Sequence, residues 1–128
     1  MFDHIGFSVA DVARSRAFYV AALAPLGFAV VMDITKEQTG GYEGTGFGPP
    51  GRPQLWIGNG AGRGGSTHIA FTAASRAAVD AFYQAAIAAG GRDNGAPGLR
   101  PHYHANYYGA FVFDPDGHNI EAVCHAPA

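Results

Sequence analysis

The sequence is poor in charge, and it has no long hydrophobic run. Only 14% of its 128 residues are charged, the formal net charge is −2, and lysine and arginine form no cluster. This composition argues against a nucleic acid as the main partner. No segment approaches the roughly 18 apolar residues that a membrane-spanning helix needs. We therefore expect neither a nucleic acid nor a membrane as partner.

Cysteine is almost absent. The single residue, Cys124, excludes an internal disulfide and fits a reducing compartment. The N-terminus also lacks the charged and then apolar layout of a secretion signal, so we expect a cytoplasmic location. What the chain has instead is 48% hydrophobic residues, enough for a core, with 19 glycines and 8 prolines that indicate many turns between short strands.

The chain repeats itself with an offset of 64 residues. The pattern His-Ile-x-Phe begins at His4 and again at His68, and the tripeptide Ala-Phe-Tyr recurs at the same offset. A fixed offset over such a span predicts two copies of one module. We place the modules at residues 1–62 and 63–128 of a single domain, 1–128, and interpret the Gly-rich join between them as a linker.

Each module reads as a strand, a helix and three further strands. The first strand of each alternates in polarity, and the segment that follows has the spacing of an amphipathic helix. In the second half of each module, Phe47 matches Phe113 and Gly51 matches Gly117, both with an offset of 66. The sequence therefore predicts an α+β fold of two repeated β-α-β-β-β modules.

Three side chains share the strand face that should lie opposite the helices. Alternation along the strands assigns His4, His68 and Glu121 to this face. Two imidazoles and one carboxylate form a frequent ligand set for Fe(II), Mn(II) or a similar divalent ion. The competing interpretation is that these are ordinary polar strand residues, which is what a single histidine in a strand usually is.

With these features, the chain resembles the vicinal oxygen chelate superfamily, which includes glyoxalase I, extradiol dioxygenases, and fosfomycin- and bleomycin-resistance proteins. The paired modules, the repeated histidine, and the DPDG turn at residues 114–117 before Ile120 and Glu121 support the resemblance. It implies a curved mixed sheet around a concave site. It also implies a divalent metal (Zn, Ni, Fe or Mn) held by His4, His68 and Glu121, to which oxygens of a small-molecule substrate bind.

The function that this resemblance implies is a metal-dependent glyoxalase-like enzyme. Its chemistry would be of the lyase or isomerase type, or a ring-cleaving dioxygenation, with Glu121 as a ligand and possible base. The alternative is a metal-free protein of the bleomycin-resistance type that binds a small molecule or an antibiotic. A third possibility is a structural or regulatory domain in which the histidines have no chemical role.

A homodimer is expected for two reasons. Two modules give a sheet with open edges, which proteins tend to cover, and relatives of this size usually dimerise. Some of these relatives build the site across the interface, in which case His4 and His68 would come from different chains.

Gln54 is a possible fourth ligand. Glyoxalase I has a Glu or Gln in the last strand of its first module, and Gln54 lies in the corresponding segment. The offset of 66 aligns Gln54 with Ile120 instead of Glu121, and only a one-residue shortening of the turn would correct this. An exposed strand residue without a ligand role is the other interpretation.

The segment 100–108 contributes further candidates. Because Phe111 and Phe113 are bulky, we assign them to the helix side, which turns Tyr108 toward the concave site as a possible donor to a substrate oxygen. His102 and His104 could act as acid or base, since imidazole titrates near neutral pH. The other interpretation is a loop that is merely ordered by polar aromatic residues.

The two remaining histidines are expected outside the site. His118 follows the turn glycine and should be exposed, and His125 should lie at the surface near the C-terminus.

Overall fold

The computed structural model describes residues 1–60 and 67–128. The first part contains β1 (Ile5–Ser8), α1 (Val12–Leu23), β2 (Ala29–Ile34), α2 (Lys36–Thr39), β3 (Gly44–Gly48) and β4 (Leu55–Gly58). The second contains β5 (His68–Thr72), α3 (Arg76–Ala88), β6 (Arg92–Leu99), β7 (Tyr108–Phe113) and β8 (Asn119–Cys124). The predicted module boundary at residues 62 and 63, and most of the Gly-rich join, lie outside the described residues.

The strands form two mixed sheets of four strands each. Their orders are β1-β4-β3-β2 and β5-β8-β7-β6, so each module contributes one sheet with the same topology. In both sheets the first and last strands of the module are parallel, and the other neighbours are antiparallel. The predicted α+β fold of two repeated modules is confirmed. The two sheets are separate and do not close into one barrel.

Both long helices begin with a side-chain cap. The Asp11 carboxylate accepts a hydrogen bond from the backbone N–H of Arg14, and the Ser75 hydroxyl accepts one from the N–H of Ala78. Such caps satisfy N–H groups that have no partner within the helix. They set the start of α1 and α3 at equivalent places in the two modules.

The two helices join both modules in one core. The buried residues of α1, of α3 and of both sheets form a single apolar cluster. Phe18 of α1 reaches the second module, where a Cβ atom at Gly91 would lie only 2.9 Å from its ring. Because the helix-bearing faces of the two sheets share this core, the opposite, helix-free faces lie outside it.

The DPDG turn at residues 114–117 fixes the second module to the first. Asp114 is 2% exposed, and its carboxylate accepts a 2.6 Å hydrogen bond from the hydroxyl of Tyr19 in α1. The Asp116 carboxylate accepts from the backbone N–H of Ala10 at 3.0 Å and from the Ser15 hydroxyl at 3.3 Å. The motif therefore has a structural role between the modules.

His118 does not lie where the sequence predicted. It is 2% exposed, so the prediction of an exposed residue is wrong. The turn folds over β1, which places the ring 4.4 Å from that of Phe7 and Nε2 3.3 Å from the carbonyl oxygen of Ser8. Nδ1 accepts the backbone N–H of Thr67. The residue after the turn glycine thus points inward, between the modules.

Among the described residues, no helix is long and apolar enough to cross a membrane.

Candidate functional site

The candidate site centres on His68 and Glu121, on the helix-free face of the second sheet. The parallel pairing of β5 with β8 brings the Nε2 atom of His68 to 3.3 Å from Oε1 of Glu121. Glu121 is 2% exposed, whereas about half of the His68 side chain is accessible. A buried carboxylate and a partly open imidazole therefore face each other.

The tautomer of His68 leaves Nε2 free to act as a ligand. Nδ1 lies 3.0 Å from the backbone carbonyl oxygen of Asn119, and because a carbonyl only accepts, Nδ1 carries the hydrogen. In the neutral imidazole, Nε2 then directs a lone pair at the carboxylate of Glu121. The same spacing suits an ion pair between a protonated imidazole and the carboxylate, or a cation held between the two atoms.

Tyr107 holds the other oxygen of Glu121. Its hydroxyl donates a short hydrogen bond to Oε2. Burial, reinforced by this bond and by the charge of Glu121, raises the pKa of Tyr107 to about 12, so the hydroxyl stays a donor at neutral pH. Gly109 leaves room for the pair, because a Cβ atom there would lie 3.2 Å from the Tyr107 ring.

The predicted orientation of Tyr108 is wrong, and its catalytic role stays a prediction. Tyr108 does not face the concave site: its hydroxyl donates to Asp80 of α3 at 2.7 Å, and the Arg76 guanidinium lies 5.2 Å from its ring centre. The site-facing tyrosine is Tyr107, which the sequence analysis missed.

The error came from using residue size to assign the faces of β7. Phe111 and Phe113 lie on the helix-free side, where the guanidinium groups of Arg100 and Arg92 cover their rings at 5.4 and 5.0 Å. The small residue Ala110 faces the helix instead, because α3 packs closely against β7. Cation–π contacts thus keep large rings on the face that the core does not use.

The histidines of the segment 100–107 lie at the rim. His102 is exposed and its ring packs 4.3 Å from that of Tyr103. His104 is also exposed, with Nε2 2.5 Å from Nδ1 of His125. Within the described residues neither His102 nor His104 has a hydrogen bond or ion pair with Glu121, so their catalytic role stays a prediction.

His4 lies on the other sheet, at the start of β1. Its Nδ1 donates to the Asp3 carboxylate at 2.7 Å, which leaves Nε2 free as in His68. In the described parts of the chain, no three His, Cys, Asp or Glu side chains come close enough to hold one metal ion. One chain therefore brings His68 and Glu121 together but leaves His4 apart.

The strand register identifies the counterpart of Glu121 in the first module. Ile5 pairs with Leu55 as Ile69 pairs with Ile120, so equivalent residues of these strands are 65 positions apart. The predicted offset of 66 is wrong, and the residue equivalent to Glu121 is Trp56. Gln54 corresponds to Asn119 instead.

The relationships of the chain agree with this architecture. The model of the Glyoxalase/Bleomycin resistance protein/Dioxygenase superfamily matches residues 1–122. The chain belongs to this superfamily. None of the curated proteins matches the chain closely enough to count as a relative. Members of the superfamily bind small molecules, often form dimers and usually hold a divalent metal.

Solved structures of superfamily members have the same fold. A glyoxalase/bleomycin resistance protein from Albidiferax ferrireducens T118 is 26% identical, with 98% of this chain and 99% of that chain covered and a TM-score of 0.77. A family enzyme from Burkholderia phytofirmans PsJN is 20% identical over 97% and 98%, with a TM-score of 0.68. The E144Q mutant of maize (Zea mays) glyoxalase I is 21% identical, with a TM-score of 0.72; the match covers 95% of this chain but only 46% of the maize chain.

The donor atoms of His68 and Glu121 have the spacing of two ligands of one divalent metal ion. Bonds of about 2.0–2.2 Å from nitrogen and oxygen to a tetrahedral ion place the two donor atoms roughly 3.4 Å apart. The His68 and Glu121 atoms are 3.3 Å apart, and the imidazole presents a lone pair. A third protein ligand has to come from elsewhere.

Proposed function

We propose that the protein is a metal-dependent enzyme of the vicinal-oxygen-chelate type, with each site shared between two copies of the chain. His68 and Glu121 of one copy and His4 of the other would hold the ion. The observation that carries the proposal is the pair formed by the Nε2 lone pair of His68 and the buried carboxylate of Glu121, 3.3 Å apart.

Two features support a site shared between copies. The helix-free faces that carry His4 and His68 lie outside the common core, so folding of one chain does not bring them together. Both histidines nevertheless have Nδ1 bonded and Nε2 free. A second copy, placed so that its first sheet meets the second sheet of its partner, would supply the missing imidazole to each of two equivalent sites.

Each residue of the proposed site would have its own role. When bound, a divalent ion polarises substrate oxygens and stabilises the negative charge that develops on them. Glu121 compensates the charge of the ion, and Tyr107 fixes the orientation of that carboxylate by its hydrogen bond. The Phe111 ring stacks beside the His68 imidazole at 6.4 Å and forms one side of the site.

The reaction class is open between lyase or isomerase chemistry and ring-cleaving dioxygenation. The identity of the metal distinguishes them: Zn or Ni would favour the former, and Fe or Mn the latter.

The first test is metal content by elemental mass spectrometry of untagged protein purified without chelator. We expect about one ion per chain in the wild type, and loss of the ion in His68→Ala and in His4→Ala. His102→Ala is the matched control, because it removes an exposed imidazole that packs on Tyr103 and lies outside the ligand set. Absence of metal after reconstitution with several divalent ions would overturn the proposal.

Mixing two variants tests the sharing of the site. In a dimer of one His4→Ala chain and one His68→Ala chain, one shared site carries both substitutions and the other carries none. Equilibrated mixtures should therefore recover up to half of the wild-type metal content per mixed dimer. If all ligands came from one chain, no mixture of the two variants would recover any.

A second candidate function is metal-free binding of a small molecule, as in the bleomycin-resistance branch. Trp56 favours it, because an indole stands where the second module has its carboxylate ligand. Metal content decides between the two functions.

A further inference from the structure

The first module carries a hollow on its helix-free face, beside the proposed ligand His4. It has a volume of about 400 Å³ and is lined by His4, Gly6, Ile34, Tyr42 and Trp56. In the second module, the equivalent of Trp56 is the ligand Glu121. The two modules therefore offer different chemistry at matching places: a carboxylate in one and an indole in the other.

The backbone beneath the hollow sets the position of both aromatic side chains. Gly46 pairs with Trp56 across the sheet, and a Cβ atom at Gly46 would lie 2.9 Å from the indole ring. A Cβ atom at Gly44 or Gly58 would overlap the hydroxyl end of Tyr42. The indole therefore lies against the backbone of β3.

The second module has the reverse arrangement of large and small residues at these positions. Phe111 stands at the position equivalent to Gly46, and it pairs with Glu121 as Gly46 pairs with Trp56. The large ring thus lies on β4 in the first module and on β7, the strand beside the equivalent of β4, in the second. An indole therefore stands beside His4 at the place where a carboxylate stands beside His68.

We propose that this hollow is the subsite for a planar aromatic ring of the substrate, with the Trp56 indole as its stacking surface. The inference rests on the proposed function, since the hollow adjoins the ligand His4 in the same site. Tyr42 and Ile34 border the ring, and His4 marks the end nearest the ion. Substrates with an aliphatic group in place of the ring lose the stacking contact.

The test compares two neutral probes that share a carboxamide and differ only in the ring: benzamide and cyclohexanecarboxamide. Trp56 is the single tryptophan, so its fluorescence reports binding to the hollow directly. We expect benzamide to bind about three- to tenfold more tightly, the range of an aromatic pair beyond equal apolar area. Equal affinities would overturn the proposal.

Two variants link the preference to the indole. Trp56→Leu keeps apolar bulk without a ring and should bind both probes equally, as measured by ligand-observed NMR, whereas Trp56→Phe should retain part of the preference. A preference that survives in Trp56→Leu would overturn the assignment. Thermal melts of each variant verify that it folds.

Metal content of the same samples separates this inference from the proposed function. Metal retained in Trp56→Leu with the aromatic preference lost supports the subsite. Metal present in the wild type without any aromatic preference refutes the subsite alone. Aromatic preference in a wild type that holds no metal refutes the metal enzyme and leaves the subsite. If a second copy covers the hollow, neither probe binds and the fluorescence changes on dilution, which also refutes the subsite.

Discussion

Replacement of Tyr19 by Phe tests the link between the two modules. The Tyr19 side chain is fully buried, and its hydroxyl donates to Oδ2 of Asp114 at 2.6 Å. The other carboxylate oxygen keeps its own donors, the backbone N–H groups of Asp116 and His118. The substitution therefore removes one hydrogen bond to a buried carboxylate and little else.

The expected cost follows from the charge and burial of the acceptor. A hydrogen bond to a charged group contributes about 1.5–3 kcal/mol. For a chain of this size we expect the melting temperature of Tyr19→Phe to fall by roughly 5–15 °C. Differential scanning calorimetry and urea unfolding would measure the loss, and an unchanged m-value would show that the surface exposed on unfolding is the same.

The repeat provides a matched control. Tyr83 occupies the equivalent position of α3, but its hydroxyl bonds to Asp93 at 3.1 Å near the surface. Exposed contacts of this kind contribute little, so Tyr83→Phe should change the free energy of unfolding by less than about 0.5 kcal/mol. Equal losses in Tyr19→Phe and Tyr83→Phe would refute the claim that the DPDG turn holds the modules together.

Three further results are expected. Burial, with the charge of Asp114, raises the pKa of Tyr19 well above its usual 10. The stabilising contribution of the hydroxyl is therefore complete below pH 10 and is lost as the pH rises toward the raised pKa. In alkaline melts the advantage of wild type over Tyr19→Phe should shrink. Trp56→Glu should raise the affinity for the metal at least tenfold by adding a carboxylate at the register position of Glu121, whereas Gln54→Glu should raise it less, as titration calorimetry would reveal. Tyr107→Phe should retain the ion but weaken its affinity by roughly 10- to 100-fold, since Glu121 loses its orienting partner.

The modules and the first strands could be predicted because their signals are local. Alternation of β-forming residues identifies a strand wherever the core lies, and the repeat at an offset of 64 doubles the observation. The same alternation placed His68 and Glu121 on one face, where the structure has them 3.3 Å apart. Local pattern therefore predicted correctly that His68 and Glu121 share one strand face.

The second half of each module could not be aligned from sequence, because a turn can differ by one residue without leaving a signal. The apparent match of Phe47 with Phe113 was one residue off, and the true counterpart of Phe47 is Val112. Since strand faces alternate with period two, an error of one residue pairs each position with a residue of the opposite face. The one-residue error obscured the correspondence between Trp56 and Glu121. The choice of Tyr108 over Tyr107 had a different cause, the assumption that the large rings of β7 face the helices.

The position of His4 relative to the other proposed ligands depends on how the modules pack, which no local pattern encodes. The strand faces that carry the two histidines would meet only if the two sheets packed edge to edge around those faces. Here Phe18 of α1 packs against the second sheet, so the helices occupy the space between the sheets and the histidine faces turn outward. The repeat that makes His4 and His68 equivalent within a chain therefore makes each available to a second copy. A symmetric pair of chains would form two identical sites from the same contact, and for this reason the mixed-variant experiment is the sharpest test of the proposed function.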